Sequence, residues 1–153
     1  MKDIFASKCE AIVNPVNCVG VMGAGLALAF KNKFPQNFLK YKIQCDQKKL
    51  TVGKCLTTYE NNKYIINFPT KDHYKDPSKI EYIKEGLLAL SRHIEHYDIK
   101  SIAIPALGAG LGGLKWSEVK PLLEEFVKKH PNVTFEIFEP QERQTKRQAS
   151  FER

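Results

Sequence analysis

The chain has 153 residues, 42% of them hydrophobic and 27% charged, with a net charge of +7 and a pI near 9.2. That length suits one domain with an adequate core. No apolar run approaches the roughly 20 residues that cross a bilayer, and the opening Met1-Lys2-Asp3-Ile4-Phe5 has no signal-peptide apolar segment, so neither a membrane protein nor an exported one is expected.

Residues 10–14 contain Ala-Ile-Val and read as a short buried strand that runs into a glycine loop. The spacing predicts a helix over 25–34, with Leu26 and Phe30 on one face. Pro35 breaks it, and a second helix follows over 36–48 with Phe38, Leu39 and Ile43. Residues 54–60 and 63–68 are rich in strand formers. Asn61 and Asn62 between them tolerate positive φ, which predicts a hairpin. Apolar positions at 80, 83, 87, 90, 94 and 97 recur every three or four residues, so 78–97 is predicted to be a helix opened by Pro77 and Ser78. Residues 101–105 form a continuous apolar strand, expected to be central, and lead into a second glycine loop. Ser117 is the expected cap of a further helix carrying Val119, Leu122, Leu123, Phe126 and Val127. Residues 133–138 read as a last strand. Residues 141–153 lack apolar periodicity and read as a weakly basic, disordered tail after a domain at 1–140. The alternation predicts an α/β fold of three layers, with helices on both faces of a mixed sheet.

The four cysteines, at 9, 18, 45 and 55, form no Cys-x-x-Cys pair and do not interleave with histidines at zinc spacing. Free thiols, a reducing cytoplasmic setting and no metal are expected. The positive charge fits a solvated surface or a polyanionic partner such as nucleic acid, and charge alone does not choose between them.

The two glycine loops carry the functional signal. The first is Asn14-Pro15-Val16-Asn17-Cys18-Val19-Gly20-Val21-Met22-Gly23-Ala24-Gly25, and the second is Ala106-Leu107-Gly108-Ala109-Gly110-Leu111-Gly112-Gly113-Leu114. Glycine lets backbone N–H groups approach phosphate without a Cβ in the way. Two such loops at the carboxyl ends of strands suggest a diphosphate gripped from both sides. A single loop of this kind serves equally well as a tight turn between strand and helix. Neither loop is followed by Gly-Lys-Ser/Thr, and neither has the Gly-x-Gly-x-x-Gly pattern with an acidic residue about twenty positions on. An ordinary ATPase and a Rossmann dehydrogenase are therefore disfavoured.

Together the loops resemble those of the macrodomain family. Asp3-Ile4-Phe5, Asn67-Phe68-Pro69-Thr70-Lys71-Asp72-His73-Tyr74 and Pro105 through Trp116 extend the match over about residues 3–140. The chain is most similar to the macrodomains of DarG-type antitoxins, which remove ADP-ribose from DNA, and is related to macrodomain hydrolases that act on protein glutamates. The resemblance implies a three-layer macrodomain with a short or missing first strand. It implies ADP-ribose as ligand, with no further cofactor, in a monomeric enzyme. The diphosphate would lie between Gly23, Ala24 and Gly25 on one side and Gly108, Ala109, Gly110, Leu111 and Gly112 on the other. Asp3 would accept from the adenine amino group, and Asn17 would bond the distal ribose unless it serves only to stabilise its turn. Ile4, Asn14, Thr70, Pro105 and Leu107 complete the implied ligand site. Trp116 reads as a core aromatic at the loop–helix corner.

Lys71 matches the family's proposed nucleophile, which attacks the anomeric carbon of the distal ribose and forms a Schiff base. An electrostatic role for the same ammonium is the alternative. Lys75 and Lys63 are candidate neighbouring cations. Gly112 stands where the glutamate-directed hydrolases carry an aspartate, which favours a nucleobase adduct. Ala24, Ala109 and Lys115 replace a common lysine, cysteine and aspartate. His73-Tyr74-Lys75 stands for a His-Trp-Arg and would contact DNA. The competing functions are a non-catalytic ADP-ribose reader, a hydrolase of protein-linked ADP-ribose, and a phosphatase using His73 and Asp72.

Overall fold

The computed structural model describes residues 3–140. Its elements are β1 (Ala11–Val16), α1 (Gly25–Lys33), α2 (Pro35–Asp46), β2 (Leu56–Glu60), β3 (Lys63–Pro69), α3 (Ile80–His96), β4 (Ser101–Ile104), α4 (Trp116–Lys128) and β5 (Thr134–Ile137), with single 3-10 turns at Ile4–Ala6 and Gly110–Gly112. The five strands form one mixed sheet in the order β2-β3-β1-β4-β5. Only the β2–β3 edge pair is antiparallel, and β1 pairs in parallel with β3 and β4. Among the described residues no strand precedes β1. The tail at 141–153 lies outside the described residues.

Alternation along the strands divides the core in two. Ala11, Val13, Ile66, Phe68, Ile102 and Ile104 face α3 and α4, whereas Ile12, Val16, Ile65 and Ala103 face α1 and α2. The central strands are thus buried on both faces, which explains their unbroken apolar character. The predicted hairpin forms as expected, with Asn61 at φ 51° and Asn62 at φ 62°.

Two predicted helix starts are corrected. The cap of α3 is Lys79 rather than Ser78. Ser78 instead gives its N–H to Gly112 O at 2.9 Å, so it ties a loop down before the helix begins. The cap of α4 is Lys115 rather than Ser117. Glu118 there reaches back to Lys115 N at 3.4 Å, placing Ser117 inside the first turn. Helix α2 opens with Pro35, and its next two N–H groups, from Gln36 and Asn37, bond the Glu60 carboxylate at 3.3 and 2.7 Å. A distant hairpin thus supplies the cap that α2's own sequence lacks.

Helix α3 approaches the sheet at Gly86. A Cβ built there would lie 2.3 Å from Phe68 Cζ, and Phe68 is fully buried. Gly86→Ala should therefore destabilise the fold by about 1–3 kcal/mol despite alanine's better helix propensity, read as a lower urea midpoint with an unchanged slope. At the other end of α3, His93 Nδ1 lies 2.8 Å from Thr57 Oγ1. Burial first, then His96 and Arg92, hold its pKa below the ordinary 6.5. The unfolded chain then binds the proton more readily, so stability is full above about pH 6.5 and is lost as pH falls through that value. His93→Gln should flatten this acid limb in denaturant titrations across that range.

Candidate active site

The parallel strands β1, β3 and β4 end side by side, and the loops that follow them enclose a cleft of about 780 Å³. Its floor is Pro15, Val16 and Asn17 after β1, Thr70 and Lys71 after β3, and Pro105 and Ala106 after β4. One wall is the first glycine loop with the start of α1, and the other is Gly108, Ala109, Leu111 and Gly112. Leu111 is 75% exposed. A Cβ on Gly25 would lie 3.1 Å from its Cδ1, so the two walls meet over the cleft.

The first wall is built to present donors. Helix α1 has no side-chain cap at Ala24 and no acidic residue in its first turn. Its first N–H groups open onto the cleft, where the helix dipole favours an anion. Gly25 has φ +55°, a conformation that a side chain would strain. On the second wall Gly108 has φ +76°, and a Cβ there would come within 2.6 Å of Leu114 Cδ1. Gly110 sits just outside the lining with open space around its missing side chain.

The lining is almost uncharged. Among the described residues, Lys71 and Tyr74 are its only ionisable side chains. Lys71 is half-buried, and its Nζ donates to Tyr74 O at 3.2 Å. Its loop is tied to both walls: Cys18 N donates to Asp72 O at 3.0 Å and Ser78 N to Gly112 O at 2.9 Å, while Thr70 N donates to Val16 O at 2.8 Å. Lysine at 71 therefore moves with both glycine loops. Lys63 is no neighbour of it. The Lys63 ammonium bonds Ser7 O and Cys9 O, at the opposite end of β3. Cys18 is no rival nucleophile, because burial, Asp72 and Cys45 push its thiol up to about 12 and leave negligible thiolate at neutral pH.

Other expected residues are placed as follows. Asn17 lines the cleft, yet its amide is engaged in the turn: Oδ1 accepts from Val19 N at 3.0 Å and Tyr41 OH at 2.8 Å, and Nδ2 donates to Val21 O at 2.7 Å. Its turn-stabilising role is the one seen, with one Nδ2 hydrogen left over. Asn14 does not line the cleft. It is fully buried beneath it, with Nδ2 on Asn67 Oδ1 at 3.1 Å; Asn67 in turn bonds Asn37, whose Oδ1 accepts from Thr58 Oγ1 at 2.7 Å. Ile4 and Leu107 are buried core residues. Asp3 is exposed and caps the first 3-10 turn through Oδ1 to Phe5 N at 2.9 Å, leaving Oδ2 open. His73 stacks on Tyr74 with ring centres 4.3 Å apart and receives Lys75 N at 3.1 Å. Of these three only Tyr74 reaches the lining. Trp116 packs against the core at the head of α4.

A family model described as Macro domain matches residues 13–123. The chain belongs to the macrodomain family. It is 43% identical over 142 residues to the DNA ADP-ribosyl glycohydrolase of Mycobacterium tuberculosis, covering 90% of this chain and 40% of that protein. Among solved structures, the macrodomain of Mycobacterium tuberculosis DarG superposes with a TM-score of 0.90 at 42% identity, over 92% of this chain and 95% of that one. Thermosipho africanus DarTG in complex with ADP-ribose matches with a TM-score of 0.86 at 36% identity, over 92% of this chain and 40% of that one. The macrodomain thus spans about 40% of the length of those full glycohydrolases.

Sequence reasoning did not find Tyr41. Its hydroxyl donates into the Asn17 turn from α2, 24 residues away, and no local pattern marks such a contact. Tyr41→Phe should cost about 1–2 kcal/mol of stability by leaving Asn17 O short of a donor, measured as a lower thermal or urea midpoint.

Proposed function

We propose that this macrodomain binds ADP-ribose and releases it from ADP-ribosylated DNA. The observation that carries the reading is Lys71, among the described residues the single cationic side chain on an otherwise uncharged cleft whose walls present backbone donors. The similarity to DNA ADP-ribosyl glycohydrolases and to a DarTG structure holding ADP-ribose supports it. The diphosphate lies between the α1 N-terminus and the 108–112 loop. The adenine amino group faces Asp3 Oδ2, and the distal ribose lies toward Asn17 and Lys71. Tyr74 and His73 present a stacked aromatic face to the base, with Lys75 beside it. The enzyme is taken to act as a monomer, and four free cysteines suit a reducing cytoplasm.

Lys71 Nζ in its neutral form attacks C1″ of the distal ribose. The bond from C1″ to the base nitrogen breaks, and the electron pair leaves with that nitrogen, which takes up a proton. The ribose ring opens as the C1″–O4″ bond breaks, its oxygen taking a proton, and leaves an imine on Lys71. Water then hydrolyses the imine, returning the amine and free ADP-ribose. The cleft holds no acid–base couple of the kind a phosphomonoesterase would use. His73 is committed to Lys75 N and Tyr74, and neither it nor Asp72 is on the lining. A reader without catalysis would use the same ammonium only to pair with the ligand's phosphates, and turnover separates the two readings.

Lys71→Ala should lower turnover of ADP-ribosylated DNA by about 100-fold or more while ADP-ribose affinity, measured by calorimetry in chelator, stays within a few-fold. Borohydride should trap an adduct on Lys71 during wild-type turnover. Wild-type rates in the variant would overturn the mechanism, and an inactive variant with no trapped adduct would assign Lys71 the electrostatic role. Assay beside ADP-ribosylated protein separates the DNA reading from the protein-linked one.

A further inference from the structure

The net charge is distributed unequally between the two helical layers. Between residues 31 and 49 stand Lys31, Lys33, Lys40, Lys42, Lys48 and Lys49 against one acid, Asp46, so this stretch accounts for +5 of the chain's +7. All six lysines are exposed. Lys42 pairs with Asp46 at 3.4 Å. Among the described residues, none of the other five meets a carboxylate. Helices α3 and α4 on the opposite face hold four basic side chains against six acidic ones.

The basic layer adjoins the cleft at two places. Helix α1 begins on the lining at Gly25 and reaches Lys33 about 12 Å further along its axis. Helix α2 then returns: a Cβ on Gly20 would lie 3.4 Å from Lys42 Cγ, and Tyr41 OH bonds Asn17. Leu39 and Ile43, both 52% exposed, stand among the lysines on α2. Lys31 lies 4.6 Å over the Phe38 ring and Lys33 5.4 Å over Phe5, so their stems rest on the core and their heads project from it.

We propose that the exposed face of α1 and α2, through Lys49, docks the sugar–phosphate backbone of a nucleic acid strand whose modified base occupies the cleft. The inference rests on the DNA reading above and adds where the unmodified part of the strand runs. Unpaired single-sign lysines match a phosphodiester chain, since each phosphate contacted releases a condensed counterion. Leu39 and Ile43 supply apolar surface for bases. The loop that carries Lys71 is a poorer track, because Asp72 and Asp76 offset most of Lys71, Lys75 and Lys79.

The test compares two triple variants with the same charge change: Lys40→Gln with Lys48→Gln and Lys49→Gln in the basic layer, and Lys84→Gln with Lys128→Gln and Lys129→Gln on the opposite face. Binding of an unmodified single-stranded oligonucleotide of about 16 nucleotides is measured by fluorescence anisotropy across a salt series. Thermal midpoints check folding. The layer variant should bind at least about ten-fold more weakly and lose about 2 from the slope of log K against log salt. The opposite-face variant should bind as the wild type does. Equal losses in both triples, an unaffected layer variant, or a wild type that binds no oligonucleotide would overturn the proposal. So would competition by polyglutamate at the layer with none by DNA, which would assign the face to an acidic protein. Cleavage is scored separately: a chain that binds the strand through this layer but does not cleave ADP-ribosylated DNA would overturn the functional reading alone.

Discussion

In β1, Ala11 stands opposite Tyr64 of β3 on one side and Ile102 of β4 on the other, and both pairings are parallel. Parallel strands must finish at the same edge of a sheet, so their following loops are brought together regardless of separation in sequence. That places residues 17–25, 70–79 and 105–114 around one cleft. Burial of all three strands on both faces holds the register, since a slip of one residue would exchange the two sets of core side chains. Everything the site does depends on this convergence.

Beneath the cleft the sheet carries a polar network, Asn14, Asn67, Asn37 and Thr58, in place of further apolar packing. Most of these buried amide atoms satisfy one another, and Asn14 Oδ1 alone of the four side chains' oxygens is left without a partner among the described residues. Together they tie β2 and α2 to β1 and β3, the strands from which the first glycine loop and Lys71 depart. Above the network the chain offers backbone donors rather than charged side chains. In the proposed function a diphosphate is held by N–H groups, and Lys71 is the one cationic side chain on the lining among the described residues. Main-chain bonds from Cys18 to Asp72 and from Ser78 to Gly112 keep that amine in step with both walls.

The two helical layers differ in what they carry. Helices α3 and α4 pack the larger apolar cluster, with Gly86 admitting Phe68 at close range. Helices α1 and α2 cover a smaller cluster and contribute directly to the site through the open N-terminus of α1 and the Tyr41 hydroxyl. Both layers bury apolar contacts that stabilise the fold, and the α1–α2 layer also borders the cleft.

Much of this was legible in the chain. Short runs of apolar residues and strand formers located the strands, and apolar positions recurring every three or four residues located the helices, each to within a few residues. The Asn61-Asn62 turn and the two glycine loops were readable for the same local reason: few residues other than glycine and asparagine tolerate positive φ. The order of the motifs identified the macrodomain family and singled out Lys71. The caps of α3 and α4 were misplaced, because Ser78 and Ser117 look like caps locally while Ser78 is drawn to Gly112 by a contact 34 residues away. Asn14 and Asn17 looked alike in sequence, but strand alternation buries the first and the turn absorbs the amide of the second. The pattern of the chain determined its elements, its family and the lysine that the proposed function turns on. Only tertiary structure decided which polar groups face the cleft, which ones support it from below, and that the lysine-rich stretch at 31–49 lies beside the cleft, because those outcomes depend on contacts between segments that no local pattern encodes.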